Sequence, residues 1–170
     1  MTTIMKDTPS MPPVSIVIPL RIESTEREAN LHCVLQYLLQ SPFVYIDLLE
    51  ADKERHFFFT HHERIRYRFV HDEEPVFYRT HYLNELLREA QHSIVGIWDA
   101  DVLIPEAQLI AAVWHVLGGC VLCFPYNGKF RFLEKERSNV IRKDMDELQA
   151  GEGYCPVSYT HLTLPTNSRV

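Results

Sequence analysis

The chain of 170 residues contains no apolar run of the ~18 residues that a membrane-spanning helix needs. Its first segment, residues 1–13, is polar, contains prolines and lacks the apolar core of a signal peptide. We expect this segment to be a flexible N-terminus. We expect the protein to be cytoplasmic, either free or peripheral at the inner membrane face, with no transmembrane segment.

Positive charge is scarce. There are 17 lysines and arginines against 23 aspartates and glutamates, which gives a formal net charge of −6. Such a balance leaves no basic stripe to neutralise phosphates, so we expect no nucleic-acid partner. The one basic run, Arg64, Arg66 and Arg68, has the alternate spacing of the solvent-facing side of a strand.

Several catalytic and metal-binding motifs are missing. The chain has no GxSxG, no P-loop and no GxGxxG, which removes the main support for hydrolase, P-loop and dinucleotide-binding functions. Its nine histidines form no HExxH or compact ligand set. Cys120 and Cys123 have CxxC spacing inside an apolar run, and we expect them to be buried structural residues because no second ligand pair accompanies them.

Apolar runs alternate with helical periodicities along the chain. Strands are predicted at 14–18, 43–49, 65–70, 94–98 and 120–124, and helices at 25–38, 80–91, 105–117 and 138–148. This alternation predicts an α/β fold in which helices flank a mainly parallel sheet. We expect residues 14–156 to form one such domain.

Polar residues follow three of these predicted strands. Pro19-Leu20-Arg21 follows the first, Glu50-Ala51-Asp52 the second and Asp99-Ala100-Asp101 the fourth. In open α/β sheets, ligands bind outside the carboxyl ends of the strands. The fold and the polar residues therefore indicate a binding site at one edge of the sheet.

Asp99 and Asp101 are the strongest candidates for chemistry. They are separated by one residue at the end of an apolar strand, so both carboxylates can reach a common point. Oxygen ligands of this kind suit Mg²⁺ or Mn²⁺, which also take waters and substrate phosphates. The spacing is equally compatible with a solvated loop whose aspartates cap a helix.

Three segments in order along the chain are Val14–Arg21 (VSIVIPLR), Phe77–Asn84 (FYRTHYLN) and Trp98–Pro105 (WDADVLIP). They resemble the donor-binding region of GT-A fold glycosyltransferases of family 2 and of family 7, the β-1,4-galactosyltransferase-like enzymes. Val14–Arg21 resembles their opening strand, and Phe77–Asn84 is similar to their Phe-Asn-Arg-x-x-x-Leu-Asn segment. Trp98–Pro105 is similar to their DxD motif with its trailing Leu-Ile-Pro. The resemblance spans Val14 to about Leu133 and implies a GT-A-like, Rossmann-like sandwich.

The resemblance implies roles for the matching residues. Pro19, Arg21 and Phe77 would line the nucleotide pocket, and Arg79 would contact the diphosphate, for which a planar guanidinium is well shaped. An exposed arginine at a helix start is the alternative for Arg79. Asp99 would bind ribose or sugar hydroxyls and help to place the metal, and Asp101 would ligate Mn²⁺ or Mg²⁺ directly.

Two further positions match more loosely. Asp52 lies where family 2 enzymes place an aspartate near uridine, but the local sequence Leu49–Glu54 (LEADKE) differs from their usual Asp-Asp-Gly-Ser. Lys129 lies where related enzymes have a lysine near the donor. A charged loop and a surface turn explain the two positions equally well.

The acceptor-binding half of the resembled enzymes has no match here. That half carries a Gly-rich turn, further metal ligands and the acidic general base, so the resemblance implies an incomplete acceptor side and leaves the catalytic residue unknown. Residues 157–162 (VSYTHL) resemble a reading frame of a sequencing adapter. We expect residues 157–170 to be a non-native tail and the natural protein to be truncated here.

The resemblance implies a metal-dependent, inverting transfer of a sugar from a UDP-sugar donor to a glycan or lipid-linked acceptor hydroxyl. One alternative is a sugar-phosphate nucleotidyltransferase, but Arg21–Ser24 (RIES) supplies no glycine for the Gly-rich loop that this class needs after its first strand. The other is an inactive nucleotide-binding remnant.

Overall fold

A computed structural model describes residues 11–128, 130–133, 138–139 and 153–156. Most of the expected flexible N-terminus, Lys129 and the suspected tail at 157–170 lie outside these residues. Of the helix predicted at 138–148, only Ser138 and Asn139 are described, and both are helical.

Four strands form one parallel sheet in the order β3-β2-β1-β4. They are β1 (Val14–Leu20), β2 (Val44–Asp52), β3 (Ile65–His71) and β4 (Ile94–Ile97). The helices are α1 (Thr25–Leu38), α2 (Arg79–Glu89) and α3 (Glu106–Leu117), and a separate parallel pair joins β5 (Phe130–Leu133) to β6 (Gly153–Pro156). The prediction of an α/β fold with a parallel sheet flanked by helices is confirmed.

Alternation along β1 explains how helices cover both faces of the sheet. Ile16 and Ile18 pack into a core with apolar residues of α1 and α3, such as Leu35 and Leu109. Val17 between them packs into a second core with Tyr82 and Leu86 of α2 and with residues of β2. Successive side chains of a strand point to opposite faces, so a continuous apolar strand is buried on both sides.

The first two strands are longer than predicted. β1 continues through Pro19 to Leu20, which pairs with Glu50 of β2. β2 continues through Glu50 to Asp52, which pairs with His71 of β3. Pro19 and Glu50 are therefore buried strand residues rather than loop residues. The binding edge of the sheet begins at Arg21 and Asp52.

The strand predicted at 120–124 is wrong, as is the burial of its cysteines. Cys120 is exposed, Cys123 is half-buried, and the intervening Val121 and Leu122 are 102% and 72% exposed. The segment follows a turn in which Gly119 has a φ of 102°, and it borders an apolar groove of about 400 Å³ between β4 and α3. A short apolar run shows no periodicity that distinguishes a buried strand from an apolar surface segment.

Thr25 and Glu28 have the spacing of a capping box, which predicts Thr25 as the cap of α1. Ser24 rather than Thr25 caps the helix, and its hydroxyl accepts the amide N–H of Arg27 at 3.2 Å.

Within the described ranges, no helix is long and apolar enough to cross a membrane.

Candidate functional site

The candidate site lies at the carboxyl edge of the sheet, where β1 and β4 end and α2 begins. β1 and β4 are neighbouring parallel strands, so Arg21 after β1 and Asp99 after β4 leave the sheet on the same side. The start of α2 supplies Arg79, its first residue. Three segments that are distant in sequence thus meet at the edge that open α/β sheets use for ligands.

Arg21 is buried, and its guanidinium ties β1 to the segment that precedes α2. Its Nε donates to the carbonyl of Ala51 at 2.8 Å, and one terminal nitrogen donates to the carbonyl of Glu74 at 2.9 Å. The other terminal nitrogen forms an ion pair of 2.8 Å with Asp72, which is also buried. Arg21 therefore shapes the wall of the site, with three of its N–H directions already used.

Tyr82 completes this buried network from α2. Its hydroxyl donates to Asp72 Oδ2 at 2.6 Å. That hydrogen bond, followed by the amide of Glu74 and the charge of Arg21, lowers the pKa of Asp72 below its ordinary value. Burial, reinforced by the hydrogen bond to Asp72, raises the pKa of Tyr82 to about 12. At neutral pH the network is an ionised aspartate held by a neutral phenol and a guanidinium.

Phe77 is an aromatic residue of this wall. Its ring stacks on Tyr82, with centroids 5.5 Å apart and planes 19° apart, and the guanidinium carbon of Arg21 lies 5.4 Å from its centroid. Phe77 also lines a cleft of about 680 Å³ together with Asp72, Arg79 and neighbouring residues of α2. The structure thus brings Arg21 and Phe77 together, and it places Phe77 and Arg79 along one cleft.

Arg79 and Asp99 form an ion pair across the mouth of the site. A terminal guanidinium nitrogen of Arg79 donates to Asp99 Oδ1 at 2.5 Å, and the two side chains are 43% and 56% exposed. No side chain caps the start of α2, and its first turn contains no acidic residue. The positive end of the helix dipole and the Arg79 cation therefore favour an anion at this position.

The turn that carries Asp99 and Asp101 is fixed at both ends. Before it, Trp98 is buried and its indole N–H donates to the carbonyl of Val102 at 2.9 Å. After it, Leu103 is fully buried. Anchoring of this kind leaves the Asp99 side chain exposed and that of Asp101 half-buried at the carboxyl edge.

Two carboxylates on one turn are a donor set that suits Mg²⁺ or Mn²⁺, since these ions complete their coordination with waters and substrate phosphates. Asp99 and Asp101 are the residues that would hold such an ion. Among the described residues, no group of three or more histidine, cysteine, aspartate or glutamate side chains is arranged around a common metal position. A resident ion here would take the rest of its ligands from solvent or substrate.

The carboxylates at the end of β2 have different surroundings. Glu50 is fully buried and accepts the amide N–H groups of His56 and Phe57 and the hydroxyl of Tyr67, so it anchors the loop after β2. Asp52 accepts the amide N–H of Lys53 at 2.8 Å, and its other oxygen lies 3.8 Å from His56. Both carboxylates are engaged by the loop that follows them.

Sequence reasoning missed the residues that build the wall of the site. Asp72, Glu74 and Tyr82 were not predicted to take part, although they position Arg21 and Phe77. The available signal was weak: Asp72 directly follows β3 and so stands at the same carboxyl edge. Pro19, predicted to line the nucleotide pocket, is a buried residue of β1.

Comparisons with protein-family models and with curated proteins gave no match to this chain.

Proposed function

We propose that the chain is the donor-binding region of a metal-dependent glycosyltransferase. Its substrates are a UDP-sugar and a hydroxyl of a glycan or lipid-linked acceptor, and its cofactor is Mn²⁺ or Mg²⁺. The observation that carries the proposal is the meeting of Arg79 and Asp99 at the carboxyl edge of the sheet, beside the cleft that Phe77 lines. The Arg79 guanidinium suits a diphosphate, a pair of carboxylates suits its divalent cation, and an aromatic wall suits the base of the nucleotide.

Each group has a distinct part in this proposal. The cleft along Phe77 accepts the nucleoside, and Arg79 at the start of α2 binds the diphosphate through charge and N–H donation. Asp99 and Asp101 would hold the divalent cation, which would supply positive charge next to the diphosphate. An acceptor oxygen would form its bond to the anomeric carbon as the bond from that carbon to the diphosphate oxygen breaks, with inversion. UDP would leave, and the acceptor hydroxyl would lose its proton to the general base that the resemblance assigns to the acceptor-binding half.

The buried network positions Phe77 and the start of α2 before a ligand arrives. Arg21, Asp72 and Tyr82 satisfy one another, so Phe77 and the start of α2 are held in place without help from substrate. Groups that are already positioned cost less ordering entropy on binding. The proposal therefore places recognition in Phe77 and Arg79, and preorganisation in the residues behind them.

Titration calorimetry of UDP binding to the full chain, with and without Mn²⁺, tests this function. Mn²⁺ is expected to tighten UDP binding by about tenfold or more, within the range typical of coupled sites. Asp101→Asn is expected to remove this enhancement, because it removes a ligand of the cation. Release of UDP from a panel of UDP-sugars then identifies the donor sugar.

Arg88→Gln is the matched control for charge on α2. Arg88 is exposed in the last turn, nine residues and roughly 13 Å along the helix from Arg79. This variant is expected to keep the Mn²⁺ enhancement, whereas Arg79→Gln is expected to lose UDP affinity. Equal UDP binding with and without Mn²⁺ in the unmodified chain would overturn the proposal and favour an inactive remnant.

A further inference from the structure

We propose that the Arg79–Asp99 ion pair is a resting lock on this site, which the divalent cation and the diphosphate open together. In the absence of ligands, Asp99 occupies the guanidinium that the diphosphate needs, and Arg79 occupies the carboxylate that the cation needs. Either ligand must break the pair, so each favours binding of the other. The inference rests on the proposed function and concerns the regulation of the same site.

Each ligand competes with the same contact, the Arg79–Asp99 ion pair. Arg79 donates its hydrogen bond to Oδ1 of the Asp99 carboxylate, the group that would coordinate a cation. A cation on Asp99 stands within a few ångströms of the guanidinium, and like charges at such a distance repel. Arg79 is therefore displaced when the cation binds, and it carries its N–H donors away from Asp99.

Released Arg79 remains in a place that favours anions. It is the first residue of α2, whose start has no side-chain cap and no acidic residue in its first turn. It also lines the 680 Å³ cleft proposed for the nucleoside, so a guanidinium released from Asp99 stands beside the diphosphate of a nucleotide bound there. Displacement of Arg79 from Asp99 thus frees a guanidinium for the anion, close to the Asp99–Asp101 turn that would hold the cation.

Thermodynamic linkage fixes the sign of the effect. The first ligand bears the free-energy cost of breaking the ion pair, and the second ligand does not, so the coupling is positive and reciprocal. The pair is about half-exposed on both sides, and such pairs are weak because water and salt screen them. The lock is expected to change each affinity by about two- to fivefold, the range that exposed ion pairs support.

The binding of each ligand is measured in the absence of the other, on the full chain. Inorganic pyrophosphate is titrated into protein from which divalent cations have been removed by chelation. Asp99→Asn is expected to bind pyrophosphate about two- to fivefold more tightly than the unmodified chain, because Arg79 is no longer held. Asp101→Asn removes the same charge from the same turn and is expected to give a smaller gain. The double variant Asp99→Asn with Arg79→Gln is expected to lose the gain.

The mirror measurement follows Mn²⁺ binding without nucleotide, by the electron paramagnetic resonance signal of the free ion. Arg79→Gln is expected to bind Mn²⁺ more tightly than the unmodified chain by a similar factor, since Asp99 is released. Arg88→Gln removes an equal charge at the far end of α2 and is expected to leave the Mn²⁺ affinity unchanged. Circular dichroism and thermal unfolding of each variant identify any that fails to fold.

Three results would overturn the lock. They are equal gains in pyrophosphate affinity for Asp99→Asn and Asp101→Asn, no gain for Asp99→Asn, and no pyrophosphate binding by any folded variant. A chain that shows one of these results but binds UDP more tightly with Mn²⁺ loses the lock and keeps the proposed function. A chain that shows the Asp99→Asn gain without Mn²⁺-enhanced UDP binding keeps a locked anion site and loses the glycosyltransferase proposal.

Discussion

Single buried polar residues shape the candidate site more than the exposed residues that line it. Arg21 and Asp72 are both 9% exposed, yet their ion pair is joined by Tyr82 and by backbone carbonyls, so no charge is left uncompensated. Buried pairs of this kind are costly to break from one side, because the remaining partner is left desolvated. Phe77 contacts Arg21 and Tyr82, and Asp72 binds both of them.

The lowered pKa of Asp72 makes the stability of the fold depend on acidity. A carboxyl whose folded-state pKa lies below its unfolded value of 3.8 stabilises the fold above that value, and this contribution is lost as the pH falls through the folded-state pKa. We expect Asp72→Asn to be less stable than the unmodified chain at pH 7 and to lose less stability on acidification. Urea unfolding between pH 7 and pH 3 measures both effects.

Glu73→Gln serves as the control for this acid dependence. Glu73 is adjacent in sequence, but its side chain is 80% exposed. This variant is expected to keep the acid dependence of the unmodified chain. An Asp72→Asn variant with the same dependence as the unmodified chain would show that Asp72 does not carry the effect.

At the scale of the elements, β4 approaches β1 closely at Gly96. A Cβ atom on this residue would lie 2.6 Å from Cδ1 of Ile16, which is fully buried in β1. Two carbon atoms that are not bonded to each other do not approach this closely, so one of the two strands must shift or Ile16 must change rotamer. Because β4 leads directly into the Asp99–Asp101 turn, its distance from β1 also sets the position of that turn.

Gly96→Ala is therefore expected to destabilise the fold by about 1–3 kcal/mol, the usual cost of overpacking a core. Ile16→Val removes the Cδ1 atom and creates room for the new methyl group. The double variant is expected to be more stable than the sum of the two single changes indicates, which urea unfolding measures as a coupling free energy. Strictly additive effects would contradict the assigned contact.

The elements also show where sequence patterns succeed and fail. The strands at β1 to β4 and the helices between them were predictable, because apolar runs and 3.6-residue periods alternate cleanly. The run at Cys120–Phe124 has the same composition as a strand, but Val121, Leu122 and Phe124 are exposed beside β4 and α3. Composition reports that a segment is apolar, and only the tertiary structure decides what it contacts.

For the whole molecule, the α/β class and the edge that carries the site followed from the order of elements. The contacts that build the site did not, because Arg21 and Asp72 are 51 positions apart and Arg79 and Asp99 are 20 apart. No local pattern encodes such pairs. The four-stranded sheet with helices on both faces brings them together, and the glycosyltransferase proposal depends on that convergence.

Nuclear magnetic resonance of the ¹⁵N-labelled full chain tests the central proposal most directly. Mn²⁺ is added in the presence of UDP, with Mg²⁺ as the diamagnetic control, and the loss of amide signal is mapped along the chain. We expect signals from the Trp98–Val102 turn and from the first turn of α2 to disappear first. Losses centred on the loop after β2, or spread evenly over the surface, would contradict a donor site held by Arg79, Asp99 and Asp101.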